Sequence, residues 1–307
     1  MNPKEELEKH LKTQLEMWQI AYPKNEAPES YLGLSYGDEK KQFEAALPPL
    51  LCMVGEKAIP GECVVIITME PRRDTAKKKN TFEAQQRFLK LELPALGSPN
   101  VPKLDESAYL AWNLNYFEEF GRILQKIERN ERYWVNIAEL MRGWFEDEHL
   151  CDWGVLSRHC IEIPLIPVHA RTNSGNHLLN NEFGEARRKV FRATLKSVVE
   201  RFRPQAILAL GAPPSEALFG LLNRDGNSAR SLVGEDQVGL KGHGNIEEQL
   251  GPKFFHPIYR LSCSEETRQA CPVFARRAPF SNGWAPKRPG ILRLGKVLRK
   301  AASRRHE

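Results

Sequence analysis

An apolar run, Val64 to Thr68, breaks at Pro71 amid Glu70, Arg72, Arg73 and Asp74. A second apolar run, "IEIPLIPV", is followed by His169, Arg171 and Asn173, and a third, "KFFHP", delivers His256 just ahead of Tyr259, Arg260 and Leu261. These residue types suit acid–base hydrolysis. A carboxylate can orient or deprotonate a water, an imidazole can stabilise negative charge on a departing group, and arginines can contact phosphate. Such a pair requires no metal and no cofactor. The chemistry depends on all three segments ending at one place.

The elements around them read as alternating strands and helices. Residues 3–22 form a predicted helix with Leu7, Leu11, Leu15 and Trp18 on one apolar face. Residues 63–68 form a predicted strand. "KKKNTFEAQQRFLKLEL" runs from a charged loop into a helix, and helical patterning dominates residues 107–129. The short runs "YWVNI", "IEIPLIPV", "AILALG" and "KFFHP" read as further strands, with a long amphipathic helix over residues 182–202 before "AILALG". This alternation predicts an α/β fold, three-layer α/β/α around a central, mostly parallel sheet. In such sheets the carboxyl ends of the strands line the ligand crevice, which is where the charged residues stand. Residues 223–251, rich in Gly and Asn, read as a long loop.

A chain of 307 residues with 41% hydrophobic content can bury a substantial core. No apolar run approaches the length of a membrane span, and the first twelve residues lack the apolar segment of a secretory signal, so a soluble, cytoplasmic protein is expected. The six cysteines include no C-x-x-C pair, which argues for free thiols over a zinc or iron–sulfur site. The net charge of +6 is unevenly placed. From Thr267 onward there are eleven Lys or Arg and a single acid, Glu307, and the rest of the chain is net negative. The division expected is a single α/β domain over residues 1–266 and a basic arm over 267–307, the arm either solvated or facing a polyanion such as nucleic acid. No strand is followed by a phosphate-cradling glycine loop; "LALGAPPSEALFG" lacks the lysine and spacing of a P-loop.

The acid before Pro71, the aromatic Phe82 eleven residues after that proline, the "RPQAILALG" strand and the late His256–Pro257, in that order, resemble the uracil-DNA glycosylase superfamily over roughly residues 62–262. The resemblance implies that Glu70 or Asp74 positions the attacking water. It implies that Phe82 stacks on the extruded base, that His256 stabilises the leaving base, and that Tyr259, Arg260 and Leu261 press into the duplex. Glu162, Asn136 and Asn173 compete to read the base, although strand alignment puts Pro164 at that position. Arg73, Lys77, Lys78, His169 and Arg171 become candidate phosphate contacts, and the implied partner is DNA, bound by a monomer. Extruding the base costs a few kcal/mol, offset by stacking, a wedge and phosphate contacts.

Departures from the family pattern shape the expected substrate. Met69 stands where a small residue is common, and Ile258 follows the His-Pro pair in place of serine. Arg72 stands where uracil-specific members carry a tyrosine that fences off a C5 methyl. The resulting expectation is a pocket for uracil or a C5-modified cytosine, including the hydroxymethylated or glucosylated cytosine of bacteriophage DNA, and a part in anti-phage defence. Bland alternatives stand beside each residue: Glu70 as a turn residue, His256 and Phe82 as core, His169 with Arg171 as a structural pair, Lys77 and Lys78 as an exposed loop. The alternative function is a catalytically silent nucleic-acid-binding module.

Overall fold

The computed structural model describes residues 3–21, 47–69, 79–94, 100–127, 132–147, 149–167, 184–211, 214–215, 218, 233–234, 259–262, 270–276 and 288–303. In chain order they form α1 (Pro3–Ala21), β1 (Met53–Val54), β2 (Val64–Thr68), α2 (Lys79–Leu89), α3 (Glu106–Leu114), α4 (Tyr116–Ile127), α5 (Arg132–Phe145), α6 (Asp152–His159) and β3 (Cys160–Pro164). After these come α7 (Gly184–Phe202), β4 (Ala206–Leu210), β5 (Val233–Gly234), β6 (Tyr259–Ser262), β7 (Ala270–Arg276) and α8 (Arg288–Ser303). The fold is α/β; among the described residues eight helices surround a mixed sheet.

The strand order is β1-β3-β2-β4-β7-β6-β5. β3, β2, β4 and β7 are mutually parallel, whereas β1 pairs antiparallel with β3 and β6 pairs antiparallel with β7. Registered residues on neighbouring strands share a face, so Glu162, Ile66, Leu208 and Phe274 form one row across the sheet. Trp144 of α5 meets Phe274 edge-on at 6.3 Å, which places α5 on that face. Its indole nitrogen donates to Gln205 Oε1 at 2.7 Å. β2, β3 and β4 are buried almost throughout, as expected of parallel strands covered on both faces.

α1 follows its apolar spacing: Leu7, Leu11, Leu15 and Trp18 are all buried, packed toward α7 and α3. His10 Nε2 lies 3.0 Å from Thr194 Oγ1 across the α1–α7 contact, and the Thr194 hydroxyl itself donates to the Val190 carbonyl. The ring nitrogen is therefore the donor, and burial lowers the His10 pKa from its ordinary value.

Two sequence expectations are corrected. "YWVNI" is no strand but part of α5, whose Trp134, Ile137, Ala138, Met141 and Trp144 recur at helical spacing and are buried. The boundary expected at residue 267 falls inside the β6–β7 hairpin, because β7 sits between β4 and β6 within the sheet. α8 also belongs to the packed body: Ile291, Leu294 and Leu298 are buried, and α8 crosses α5 with glycines on both sides of the contact. A Cβ on Gly143 would lie 1.9 Å from the Leu292 carbonyl oxygen, and one on Gly295 would lie 2.2 Å from that of Leu140. Only residues without a side chain let these two backbones approach so closely. The "KFFHP" strand lies outside the described residues.

Candidate functional site at the carboxyl edge of the sheet

Of the parallel strands, β2 is followed by β3 on one side, whereas β4, its neighbour on the other side, is followed along the parallel set by β7 further out. The chain therefore leaves β2 and β4 in opposite directions. Their carboxyl ends form a topological switch point, the usual position of a ligand crevice in an open α/β sheet. Thr68 and Met69 close one side and Leu210 and Gly211 the other. Glu70 is the next residue after Met69 in the chain.

The β2 wall is tied firmly. Beyond the strand ends the pairing continues, with Leu165 N donating to Thr68 O and Ile166 N to Met69 O, both at 2.8 Å. Pro167 O then accepts from Leu50 N at 3.0 Å. Residues 49–52 are in turn held by α3. Asn113, fully buried, accepts at Oδ1 from Leu51 N at 3.1 Å and Cys52 N at 3.3 Å, and its amide donates to Tyr109 O at 3.1 Å. Tyr109 Oη donates to Pro49 O at 3.0 Å, and burial pushes its phenol pKa up. Thus α3, through a clamp on residues 49–52, braces the segment after β3, residues 165–167, along which the β2 end is paired. Asp105 caps α3, accepting from Ala108 N at 3.2 Å, and the Lys90 ammonium beside it holds its pKa below the usual carboxylate value.

On the β4 wall the backbone turns at Gly211, whose φ of 122° is a conformation that favours glycine. Ser215 secures the turn: its amide donates to Gly211 O at 3.1 Å and its hydroxyl to Ala209 O at 3.2 Å. Beneath the switch point lies Glu162, 4% exposed, with its Oε1 accepting from Thr68 Oγ1 at 2.8 Å. It faces the same side as Phe274 and α5. Burial pushes the Cys160 thiol upward, with further contributions from Glu162 and Cys63.

β6 runs antiparallel to β7, and its first residue, Tyr259, is in register with Val273, which aligns with Ile207 of β4 and through it with Val65 of β2; β6 thus starts level with the amino-terminal half of β2 and runs on toward the amino edge. β4 and β7 intervene between β2 and β6. Three strand spacings separate those two backbones by about 14 Å. The β2 end and the β6 start are therefore neither level along the strands nor neighbours across the sheet.

Of the residues singled out in the sequence, Glu70, Arg72, Arg73, Asp74, Lys77, Lys78, His169, Arg171, Asn173 and His256 lie outside the described residues. Phe82 lies in the first turn of α2. Asn136 belongs to α5, and Pro164 is the register partner of Thr68. Tyr259, Arg260 and Leu261 are strand residues paired with β7, and Arg260 and Leu261 pair with β5 as well. A wedge into a duplex needs a projecting loop, and this segment would have to abandon two ladders to become one. Asn113, Tyr109 and Ser215 escaped sequence reasoning; an amide inside an apolar helical stretch was the available signal for Asn113. Among the described residues no group of three His, Cys, Asp or Glu could hold a metal ion, and no helix is long and apolar enough to cross a membrane. Comparison with known proteins finds no matching family model and no significantly matching curated protein.

Proposed function

We propose that the chain is a DNA glycosylase, acting at the β2–β4 switch point on a base extruded from DNA. The observation that carries this reading is the switch point between the carboxyl ends of β2 and β4, since the β2 end leads directly into Glu70; His256 stands three residues ahead of β6, two strands beyond β4. In the proposed reaction Glu70 or Asp74 orients water toward the sugar carbon as oxocarbenium character develops. His256 stabilises the anionic base as it leaves.

A three-layer arrangement supports the same reading. β2 to β3 and β3 to β4 step across the sheet in opposite directions, and right-handed crossovers of opposite direction run over opposite faces. The helices between β2 and β3 then cover the α5 face and α7 the other, as in the glycosylase-like fold. Arg72, a cation in place of an aromatic fence, favours uracil or a C5-substituted cytosine, and phage DNA carrying hydroxymethyl- or glucosyl-cytosine is the natural source of the latter.

The test is incubation with duplexes carrying uracil, hydroxymethylcytosine or glucosylated cytosine, scoring alkali-labile abasic sites. Wild type releases at least one of these bases, and Glu70→Gln, Asp74→Asn and His256→Ala identify the groups that matter, each catalytic one costing about 10²- to 10⁴-fold. Absence of release from every substrate refutes the enzyme reading.

A further inference from the structure

We infer that the outer face of α8 is a nucleic-acid-docking surface that holds the phosphate backbone of a duplex without reading its sequence. α8 carries five Lys or Arg and no Asp or Glu in sixteen residues. Its rotation about its own axis is fixed by the close crossing at Gly143 and Gly295 and by the burial of Ile291, Leu294 and Leu298. Arg293, Lys296 and Lys300 are consequently exposed on the side away from α5. At 3.6 residues per turn the three lie within an arc of about 60° and span about 10 Å along the axis. That length of duplex carries about six phosphate charges. Arg299, one position off this stripe, pairs with Glu146 at 3.2 Å, just past the end of α5.

The same geometry argues against an anionic bilayer. A helix that lies in a membrane interface must offer an apolar face to the acyl chains, and the apolar face of α8 is already spent on α5. Three exposed cations on one stripe of the helix match the charge of a regular polyanion. The surface rests on the glycosylase reading only for the identity of that polyanion as DNA; its binding is separate from base release.

The experiment measures binding of the full chain to an unmodified 25-base-pair duplex by fluorescence anisotropy across a salt series. The proteins compared are wild type, the triple variant Arg293→Ser/Lys296→Ser/Lys300→Ser, and a control triple, Lys9→Ser/Lys57→Ser/Lys196→Ser, which removes the same charge from exposed positions elsewhere. The α8 variant is expected to lower the slope of log K against log salt by about 2 to 3 and to weaken binding at least tenfold at low salt, while the control changes neither appreciably. An unchanged slope, or an equal loss in the control, overturns the proposal. So does retention by phosphatidylserine vesicles that depends on the same three residues while duplex binding does not. Should the triple variant unfold, Lys300→Glu alone, checked for an unaltered melting temperature, must still lower the slope. Duplex binding through α8 with no base released from any substrate leaves this surface standing and removes the glycosylase; base release with an α8-independent slope does the reverse.

Discussion

Replacing Asn113 by alanine probes the clamp that positions the β2 and β3 ends. In the folded protein Asn113 is the acceptor for two main-chain amides, Leu51 N and Cys52 N, at a site with no solvent exposure. Alanine leaves both donors buried and unsatisfied, at about 1–3 kcal/mol each, and opens a small cavity in addition. A loss of roughly 3–4 kcal/mol is expected, a large share of the 5–15 kcal/mol typical of a domain. Urea denaturation should show a lower midpoint with an unchanged m-value, and hydrogen exchange should accelerate first at Leu51 and Cys52, then at Leu50, Leu165 and Ile166. Asn113→Asp keeps an acceptor toward both amides but turns an oxygen toward Tyr109 O, so it should fall between wild type and alanine. Tyr109→Phe removes one hydrogen bond to Pro49 O and should cost about 1 kcal/mol. Because both side chains hold the same segment, the double variant should lose less than the sum. A cost below about 1 kcal/mol for Asn113→Ala, with unaltered exchange at the two amides, would refute the clamp.

Other consequences are equally open to measurement. Gly295→Ala drives a methyl into the Leu140 carbonyl and the Trp144 amide, both backbone, and should destabilise by at least about 1–3 kcal/mol in thermal melts; a neutral result would mean that α8 does not cross α5 so closely. Burial lowers the His10 pKa, so the unfolded chain takes up a proton before the folded one does. The contribution of neutral His10 is thus complete above its unfolded value of about 6.5 and is lost as pH falls through the lower folded value, and His10→Gln should shrink the stability difference between about pH 7.5 and 5.5. Cys151 is exposed, whereas burial pushes the Cys52 and Cys63 thiols up to about 12. A thiol reagent at about pH 8 should therefore label Cys151 in the native protein and reach Cys52, Cys63 and Cys160 only on unfolding.

What was legible in the sequence follows from how long and how regular each signal is. α1 was plain because four apolar residues repeat at helical spacing over twelve positions, and all four are buried. β2, β3 and β4 were plain because strands covered on both faces are continuously apolar. "YWVNI" misled because five residues are too short a window to separate a strand from the buried side of α5. β7 was missed on account of Pro272, a residue that usually excludes an interior strand. It is tolerated because the β4 ladder begins one residue later, at Val273, so no hydrogen bond from Pro272 is needed on that side. The charge of the last forty residues hid the apolar positions of α8. The apolar run ending at Thr68 marked β2, but nothing local could show that an amide on α3 braces its end, since Asn113 and Cys52 meet only after sixty residues of chain have folded back.

The position of β7 has a consequence for biosynthesis. It is made last of the described strands yet lies between β4 and β6, which emerge from the ribosome before it. About sixty residues separate the end of β4 from the start of β7, so at about 5–20 residues per second a nascent chain carries an open β4 edge for roughly 3–12 seconds. Such an edge is a template for pairing with another unfinished copy. Messages or truncations that stop before residue 270 should for that reason yield aggregated product, and slow translation of this stretch should raise the demand for chaperones.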